Sequence, residues 1–211
     1  MKTILDNLNW RYATKKFDST KKLSNENLNT LLEAARLTAS SYGLQPYHIY
    51  VIENEEIRTR LRKVSYDQPQ ITDASHLIVL ANKPTFNDTL IDDYIENIMV
   101  VRGLSKDDLK EFSQTMKSTL LDLPDAQKGA WTSNQAYIVL GNLMTVAANM
   151  QIDACPMEGF DNEQYNEILG LSDIGLNAAV VLAVGYRSKE DETQNYRKVR
   201  YSKEQIITHI N

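Results

Sequence analysis

The sequence has only one cysteine, so an internal disulfide framework is excluded. That residue, Cys155, stands in an apolar segment, where a small buried hydrophobe is the more typical role than a redox thiol. The first seven residues lack the apolar core of a signal peptide. From these features we expect a cytoplasmic protein.

Long hydrophobic runs are also missing. The longest candidate, residues 178–184, has seven residues, whereas a membrane-spanning helix needs roughly 20. We interpret this run as a buried strand and expect no membrane association. The chain of 211 residues, 42% of them hydrophobic, is long enough to bury its own core. We therefore predict a single domain over residues 1–211.

The charge balance and the glycine pattern exclude further ligand classes. A formal net charge of -5 disfavours nucleic acid, because most of the surface would repel a polyanion. No Gly-x-Gly-x-x-Gly follows a predicted strand, and no Gly-x-x-x-x-Gly-Lys-Ser/Thr loop is present, which argues against the common nucleotide folds. The three histidines are scattered, and the carboxylates at 88–96 have no histidine nearby, so we expect no metal site.

Apolar periodicity predicts an α+β fold in which helices surround a mixed sheet. A short amphipathic helix is predicted within the first ten residues, and Ser24 is the predicted N-cap of the next helix. Further helices are predicted at 24–40, 55–64, 86–101, 105–122 and 126–150, and one ends near 169 after a turn at 152–161. Strands are predicted at 48–53, 76–81 and 177–186. The helix at 126–150 is apolar over most of its circumference and should lie at the centre, with small residues that would let it pack against its own copy in a dimer.

Two compact basic clusters lie near opposite ends of the chain. Arg11 and Lys15 belong to the first, and residues 197–200 form the second. Solvated surface residues are one interpretation. A small phosphate-bearing cofactor is the other, and since nucleotide loops are absent, side chains would hold that phosphate.

Five motifs in sequence order resemble the FMN-dependent nitroreductase family, in the branch of the oxygen-insensitive NAD(P)H nitroreductases and dihydropteridine reductases. They are Arg-x-x-x-Lys-x-Phe-Asp at 11–18, Ser-Ser-x-x-x-Gln-Pro-Tyr-His at 40–48, Gln-Pro-Gln-x-x-Asp-Ala-Ser-His at 68–76, Pro-x-Glu-Gly-Phe-Asp at 156–161 and Lys-Val-Arg at 198–200. The resemblance covers nearly the whole chain.

The resemblance implies an α-β-α sandwich with a mixed, mainly antiparallel sheet, assembled as an intertwined homodimer with FMN at the interface. The segment from about 187 to 211 would extend over the partner subunit. The implied activity is ping-pong: NADH or NADPH delivers a hydride to flavin N5, and an electron-poor small molecule such as a nitroaromatic or a quinone then takes it. The alternatives are a dihydropteridine, enone or dehalogenating reductase of the same superfamily, and a flavin-binding redox sensor or store.

For the FMN phosphate, the resemblance implies side-chain contacts from Arg11, Lys198 and Arg200. A guanidinium offers a two-pronged donor to phosphate oxygens, and an ammonium offers a point charge, so these residue types suit the role. Tyr12 and Ala13 are expected to contribute through main chain and packing.

For the flavin ring, the resemblance implies that Lys15 lies near the pyrimidine edge, where a cation stabilises the negative charge of the reduced cofactor. The segment Pro156, Met157, Glu158 and Gly159 would approach N5, with main-chain N–H groups of the last two as donors. No catalytic side chain is expected, because the flavin carries the chemistry.

A third set of contacts is expected from the partner subunit. Ser40, Ser41 and Gly43 would approach the flavin across the dimer interface, and Tyr42 would line the open face where the substrates stack.

Positions 67 and 70 depart from the family pattern, which has Asn and Lys there. Gln70 keeps a donor for the flavin carbonyl oxygens or the ribityl chain, whereas an ionised Asp67 can only accept. We therefore favour Gln70 over Asp67 as a cofactor contact.

Overall fold

A four-stranded antiparallel sheet forms the centre of the protein in the computed structural model, which describes residues 3–210. The strands are β1 (Tyr47–Ile52), β2 (His76–Asn82), β3 (Asp153–Met157) and β4 (Asn177–Gly185), in the order β1-β2-β4-β3. Every pairing between them is antiparallel. An isolated parallel bridge joins Ala13 to Ala154 at the β3 edge. The predicted, mainly antiparallel sheet is confirmed.

The helices lie on both sides of this sheet. In the described part of the chain they are α1 (Ile4–Trp10), α2 (Asn25–Arg36), α3 (Glu55–Lys63), α4 (Gln70–Asp73), α5 (Asp88–Arg102), α6 (Lys110–Leu120), α7 (Asp125–Asn149), α8 (Asn162–Leu169) and α9 (Lys203–Ile206). None of them combines the length and the apolar character needed to cross a bilayer.

Alternate residues of β2 contribute to two separate cores, because successive side chains of a strand point to opposite faces. Leu77 and Val79 pack in the cluster that contains Leu61 of α3, Ile71 of α4 and Tyr165 of α8. The intervening residues pack in a second cluster with α2 and α7. Both faces of β2 are therefore buried, and the α-β-α sandwich is confirmed.

Helix α7 is the central helix, as predicted. It contacts β1, β2, β3, β4, α1 and α2. One face is buried from Thr132 to Ala148, whereas Ile138 and Gly141 on another face are exposed. The exposed face leaves room for a second copy of the chain, so packing in a dimer stays a prediction.

Two local predictions differ from the structure. Ser24 caps α2 as expected, accepting from the Asn27 N–H, but the helix ends at Arg36 rather than near residue 40. Strand β3 was missed, because Pro156 lacks an N–H and discourages a strand assignment. The position is tolerated because β3 is an edge strand with only one hydrogen-bonded neighbour.

Candidate functional site

The segment 11–17 runs along the free edge of β3. Its main chain makes the bridge from Ala13 to Ala154, and the Thr14 N–H donates to the Ala154 carbonyl at 3.5 Å. A second bridge joins Phe17 to Arg187, and the Phe17 ring is buried in the core. The first basic cluster is thereby held against the sheet rather than on a free surface.

Asp191 ties this segment to the C-terminal region. The side chain is 1% exposed, and its Oδ2 accepts from the Lys15 N–H (2.8 Å), the Lys16 N–H (3.1 Å) and the Tyr12 hydroxyl (2.9 Å). Its Oδ1 accepts from the Thr193 N–H. Burial raises the pKa of this carboxyl, but the hydrogen bonds outweigh burial, so the pKa lies below its usual range. The sequence analysis missed this residue; an N-cap pattern before a short helical turn is its signal.

Arg187 also supports the segment. Its guanidinium lies over the rings of Trp10 and Tyr12, 4.2 and 4.5 Å from their centroids. It also donates through Nε to the buried Asp153 carboxylate at 2.7 Å. This arginine is thus paired with a buried carboxylate of the protein, and no sequence pattern indicated its partners.

Arg11, Lys198 and Arg200 line one cavity of about 320 Å³. The Lys198 ammonium donates to the carbonyl oxygens of Leu8 and Arg11, where helix α1 ends. The structure therefore brings the two predicted phosphate clusters together. The other lining residues are Asn9, Trp10, Tyr12, Ala13, Thr193, Gln194, Tyr196 and Arg197.

The electrostatics of this basic cavity favour an anion. Burial, followed by repulsion from Arg200, lowers the pKa of Arg11. Burial, followed by repulsion from Arg11 and Arg200, also lowers the pKa of Lys198. Arg11 Nε is buried and has no hydrogen-bond partner, and no Asp or Glu within residues 3–210 lines the cavity. A bound anion would therefore relieve both the repulsion and the unsatisfied donor.

Lys15 and Gln70 both lie near Cys155 of β3. Burial raises the pKa of the Cys155 thiol, and the nearby Lys15 charge and Gln70 side chain act in the opposite direction. Gln70 is only 4% exposed, yet its Oε1 has no hydrogen-bond partner among the described residues. Gln70 therefore presents a second buried polar atom that the protein leaves unsatisfied.

The loop before α4 packs on the loop after β3. Gln68 donates through Nε2 to the Gly159 carbonyl at 2.8 Å, and a Cβ at position 159 would lie 3.3 Å from the same nitrogen. Tyr66 and Asp67 both adopt left-handed backbone angles, with φ of 54°. The Asp67 carboxylate is paired with Arg62 at 2.8 Å and is 81% exposed, so it is directed to a neighbouring helix.

The segment Pro156 to Gly159 forms the end of β3 and the loop that follows. Met157 is buried, whereas Glu158 and Gly159 are exposed. Glu158 Oε1 accepts a hydrogen bond from the Tyr137 hydroxyl of α7. Burial, followed by this carboxylate, raises the pKa of Tyr137 to about 12. The loop is thus fixed on one side by Tyr137 and on the other by the Gln68 contact.

The predicted partner-facing residues form a separate turn. The Ser41 N–H donates to Gln135 Oε1 at 2.8 Å, and Ser40 Oγ accepts from the Gln45 N–H. Tyr42 has a φ of 56°, and its ring lies 6.3 Å from that of Phe112. Gly43 is required, because a Cβ there would lie 2.4 Å from the Tyr94 hydroxyl oxygen. None of these residues lines the basic cavity, so their approach from a partner subunit stays a prediction.

Another cavity, of about 450 Å³, is lined by Arg58, Ser75 and His76 among others. Arg58 is buried and donates to the carbonyl oxygens of Ile71, Ala74 and Ser75 at 2.6 to 3.1 Å. His76 Nδ1 hydrogen-bonds to Ser75 Oγ at 2.9 Å. Its buried polar groups are satisfied by the protein itself, which indicates a structural role.

Comparison with known proteins identifies the family. The nitroreductase family model matches residues 8–186, so the chain belongs to the nitroreductase family. This confirms the resemblance found in the motifs.

Relatives support the same family. A Staphylococcus epidermidis protein, named as an NAD(P)H nitroreductase, is 37% identical over 99% of this chain and 97% of its own length. The major NAD(P)H-flavin oxidoreductase of Aliivibrio fischeri is 34% identical over 97% of both chains. A solved Exiguobacterium sibiricum nitroreductase in complex with FMN has the same fold, with a TM-score of 0.83 and 21% identity over 100% of this chain and 98% of its own.

Proposed function

We propose that the protein is a flavin-dependent NAD(P)H oxidoreductase that binds FMN with its phosphate in the basic cavity. The observation that carries the proposal is the buried Arg11 Nε, which has no hydrogen-bond partner within residues 3–210. It lies beside Lys198 and Arg200 in a cavity that no Asp or Glu of those residues lines. The FMN named with the Exiguobacterium structure and the flavin named with the Aliivibrio relative support it.

The remaining residues fit a flavin ring next to that cavity. The unpartnered Gln70 Oε1 offers an acceptor, or a donor if the amide is turned, to the polar edge of the ring. Lys15 lies in the segment along the edge of β3 and would supply a positive charge to the polar edge of the ring. At the other end of β3, the main chain of Glu158 and Gly159 would approach N5.

The bound FMN supplies the redox chemistry, accepting a hydride from NADH or NADPH and passing it to an acceptor. The protein binds the phosphate, orients the ring and leaves one face open to small molecules. Nitroaromatics and quinones are the proposed acceptors, in a ping-pong sequence.

We also propose a homodimer with the FMN sites at its interface. Residues 1–211 would form one domain, of which 1, 2 and 211 lie outside the described part. The C-terminal segment from about 187 exposes unusually many apolar side chains, which a partner subunit would cover. They include Tyr196, Val199, Tyr201, Ile206, Ile207 and Ile210.

The proposal is tested by reconstitution with FMN. We expect yellow protein from which FMN can be released, and we expect Arg11→Ala to weaken FMN binding roughly 10- to 100-fold, because a hydrogen bond to a charged group contributes about 1.5–3 kcal/mol. Flavin fluorescence on titration measures the Kd.

Two matched variants sharpen this test. Arg36→Ala removes an exposed arginine paired with Glu33 and should leave the Kd unchanged. Arg200→Ala should weaken binding far more than Glu158→Ala, since the first acts through its side chain and the second through its main chain. Wild-type protein that takes up no FMN would contradict the proposal.

A further inference from the structure

We propose that Asp191 is a positioning residue. It would set the reduction potential of the bound flavin by holding the main chain of Lys15 in place. This inference rests on the proposed function. It concerns how the chain places one cation, and Asp191 itself is not expected to touch the cofactor.

The first argument is the concentration of hydrogen bonds on one buried carboxylate. Three of the four donors to Asp191 come from the segment 12–16, and the fourth comes from the turn that Asp191 itself begins. The segment has other anchors: the bridges from Ala13 to Ala154 and from Phe17 to Arg187, the Ser188 N–H bond to the Lys16 carbonyl, and the buried Phe17 ring. None of these bonds involves Lys15 itself, whereas Asp191 accepts from the Lys15 main-chain N–H.

The second argument is that Asp191 leaves the Lys15 charge available. It binds the main-chain N–H of Lys15, and no ion pair of the Lys15 ammonium is found within residues 3–210. The ammonium is exposed and near enough to Cys155 to influence its thiol. A cation held beside the reduced flavin stabilises its negative charge and raises the potential. Loosening the main chain at Lys15 should therefore lower the potential.

The third argument is that no isosteric group can replace the carboxylate. Oδ2 of Asp191 accepts from three donors and Oδ1 from a fourth, whereas Asn would turn an N–H₂ group toward at least one N–H that needs an acceptor. Asp191→Asn therefore preserves the side-chain volume and removes the arrangement of acceptor oxygens. This makes it the appropriate variant for the test.

The test is a double-mutant cycle on the midpoint potential of bound FMN, measured by anaerobic spectroelectrochemical titration. The proteins are wild type, Asp191→Asn, Lys15→Met and the double variant. We expect each single variant to lose about tenfold of the preference for reduced over oxidised FMN, which equals about 30 mV for a two-electron couple. In the Lys15→Met background, Asp191→Asn should cause no further shift.

The controls distinguish an effect on the position of Lys15 from an effect of losing one negative charge and from a loss of folding. Asp18→Asn removes the same charge in the same part of the chain, where the Asp18 carboxylate contacts the nearby Thr20 and Lys21, and it should leave the potential unchanged. If Asp191→Asn does not fold, Asp191→Glu keeps the charge, moves the carboxylate by one methylene and enters the same cycle.

The outcomes are distinguishable. A wild type that binds FMN, with an unchanged potential in Asp191→Asn, overturns this inference alone. An equal shift with and without Lys15 overturns it too, because Asp191 would then act by another route. A wild type that takes up no FMN overturns the proposed function and this inference with it.

Discussion

At the scale of single residues, the site is marked by polar atoms that the protein does not satisfy. Arg11 Nε and Gln70 Oε1 are buried without partners, although most buried polar groups in proteins are hydrogen-bonded. A third such atom within residues 3–210, Arg187 Nη2, still forms an ion pair with the Asp153 carboxylate at 2.5 Å. Arg58 shows the contrast, because its guanidinium donates to main-chain carbonyl oxygens. Burial without a partner is the property expected of groups that meet a ligand.

The difference between satisfied and unsatisfied buried groups predicts that Gln70→Leu changes thermal stability and FMN binding in different ways. Removing an unsatisfied buried amide should leave the thermal stability of the FMN-free protein unchanged or raised, while FMN binding weakens. The matched variant Gln135→Leu also removes a buried amide, but it leaves the Ser41 N–H unpaired and should cost about 1–3 kcal/mol of stability. Melting temperatures with and without FMN measure both, and a destabilised FMN-free Gln70→Leu would contradict the assignment.

At the scale of secondary structure elements, the loop after β3 is held between α7 and the loop before α4. Tyr137 binds Glu158 from one side, and Gln68 binds Gly159 from the other. The loop's main chain is thus fixed without any ligand present. Such rigidity suits a segment whose N–H groups are proposed to meet the flavin.

The Tyr137 contact predicts a pH dependence of stability. The pKa of Tyr137 is raised to about 12 from about 10 in an unfolded chain. The group therefore stabilises the fold fully below pH 10, and this contribution is lost as pH rises toward 12. We expect the difference in unfolding free energy between wild type and Tyr137→Phe to shrink over that range in urea titrations. A constant difference from pH 9 to pH 12 would contradict this role.

Element prediction succeeded where burial dictates the pattern. Strands β2 and β4 were predicted because both faces of the sheet are covered, which requires continuous apolar runs. Strand β3 was not predicted, because Pro156 and Asp153 are residue types that are common in turns. The Asp153 carboxylate accepts a hydrogen bond from Arg187, which lies 34 residues away in the sequence, so local patterns cannot indicate the contact.

At the scale of the whole molecule, the exposed apolar side chains of the C-terminal region are the observation behind the proposed dimer. Val199 is 84% exposed and Ile210 is 94% exposed, in a protein whose central strands β2 and β4 are almost fully buried. Arg200 and Lys198 lie at the beginning of this region. Dimerisation and cofactor binding would therefore depend on the same segment.

Truncation after Arg200 tests this dependence. It keeps all four cationic residues that line the basic cavity and removes the exposed apolar residues that follow. We expect a weaker dimer in sedimentation velocity and weaker FMN binding at low protein concentration, with recovery as the concentration rises. An unchanged dissociation constant of the dimer would exclude this segment as a major part of the interface.

The sequence by itself determined the family, the apolar strands, the cap of α2 and the two basic clusters, because these depend on residue types and short spacings. Only the tertiary structure decided that Lys198 meets the carbonyl of Arg11, 187 residues away, and that Asp191 holds the main chain of Lys15. It also showed that Asp67 turns to Arg62. The contacts of Lys198 and Asp191 arise because distant segments pack on the same sheet edge, and local periodicity does not indicate that packing.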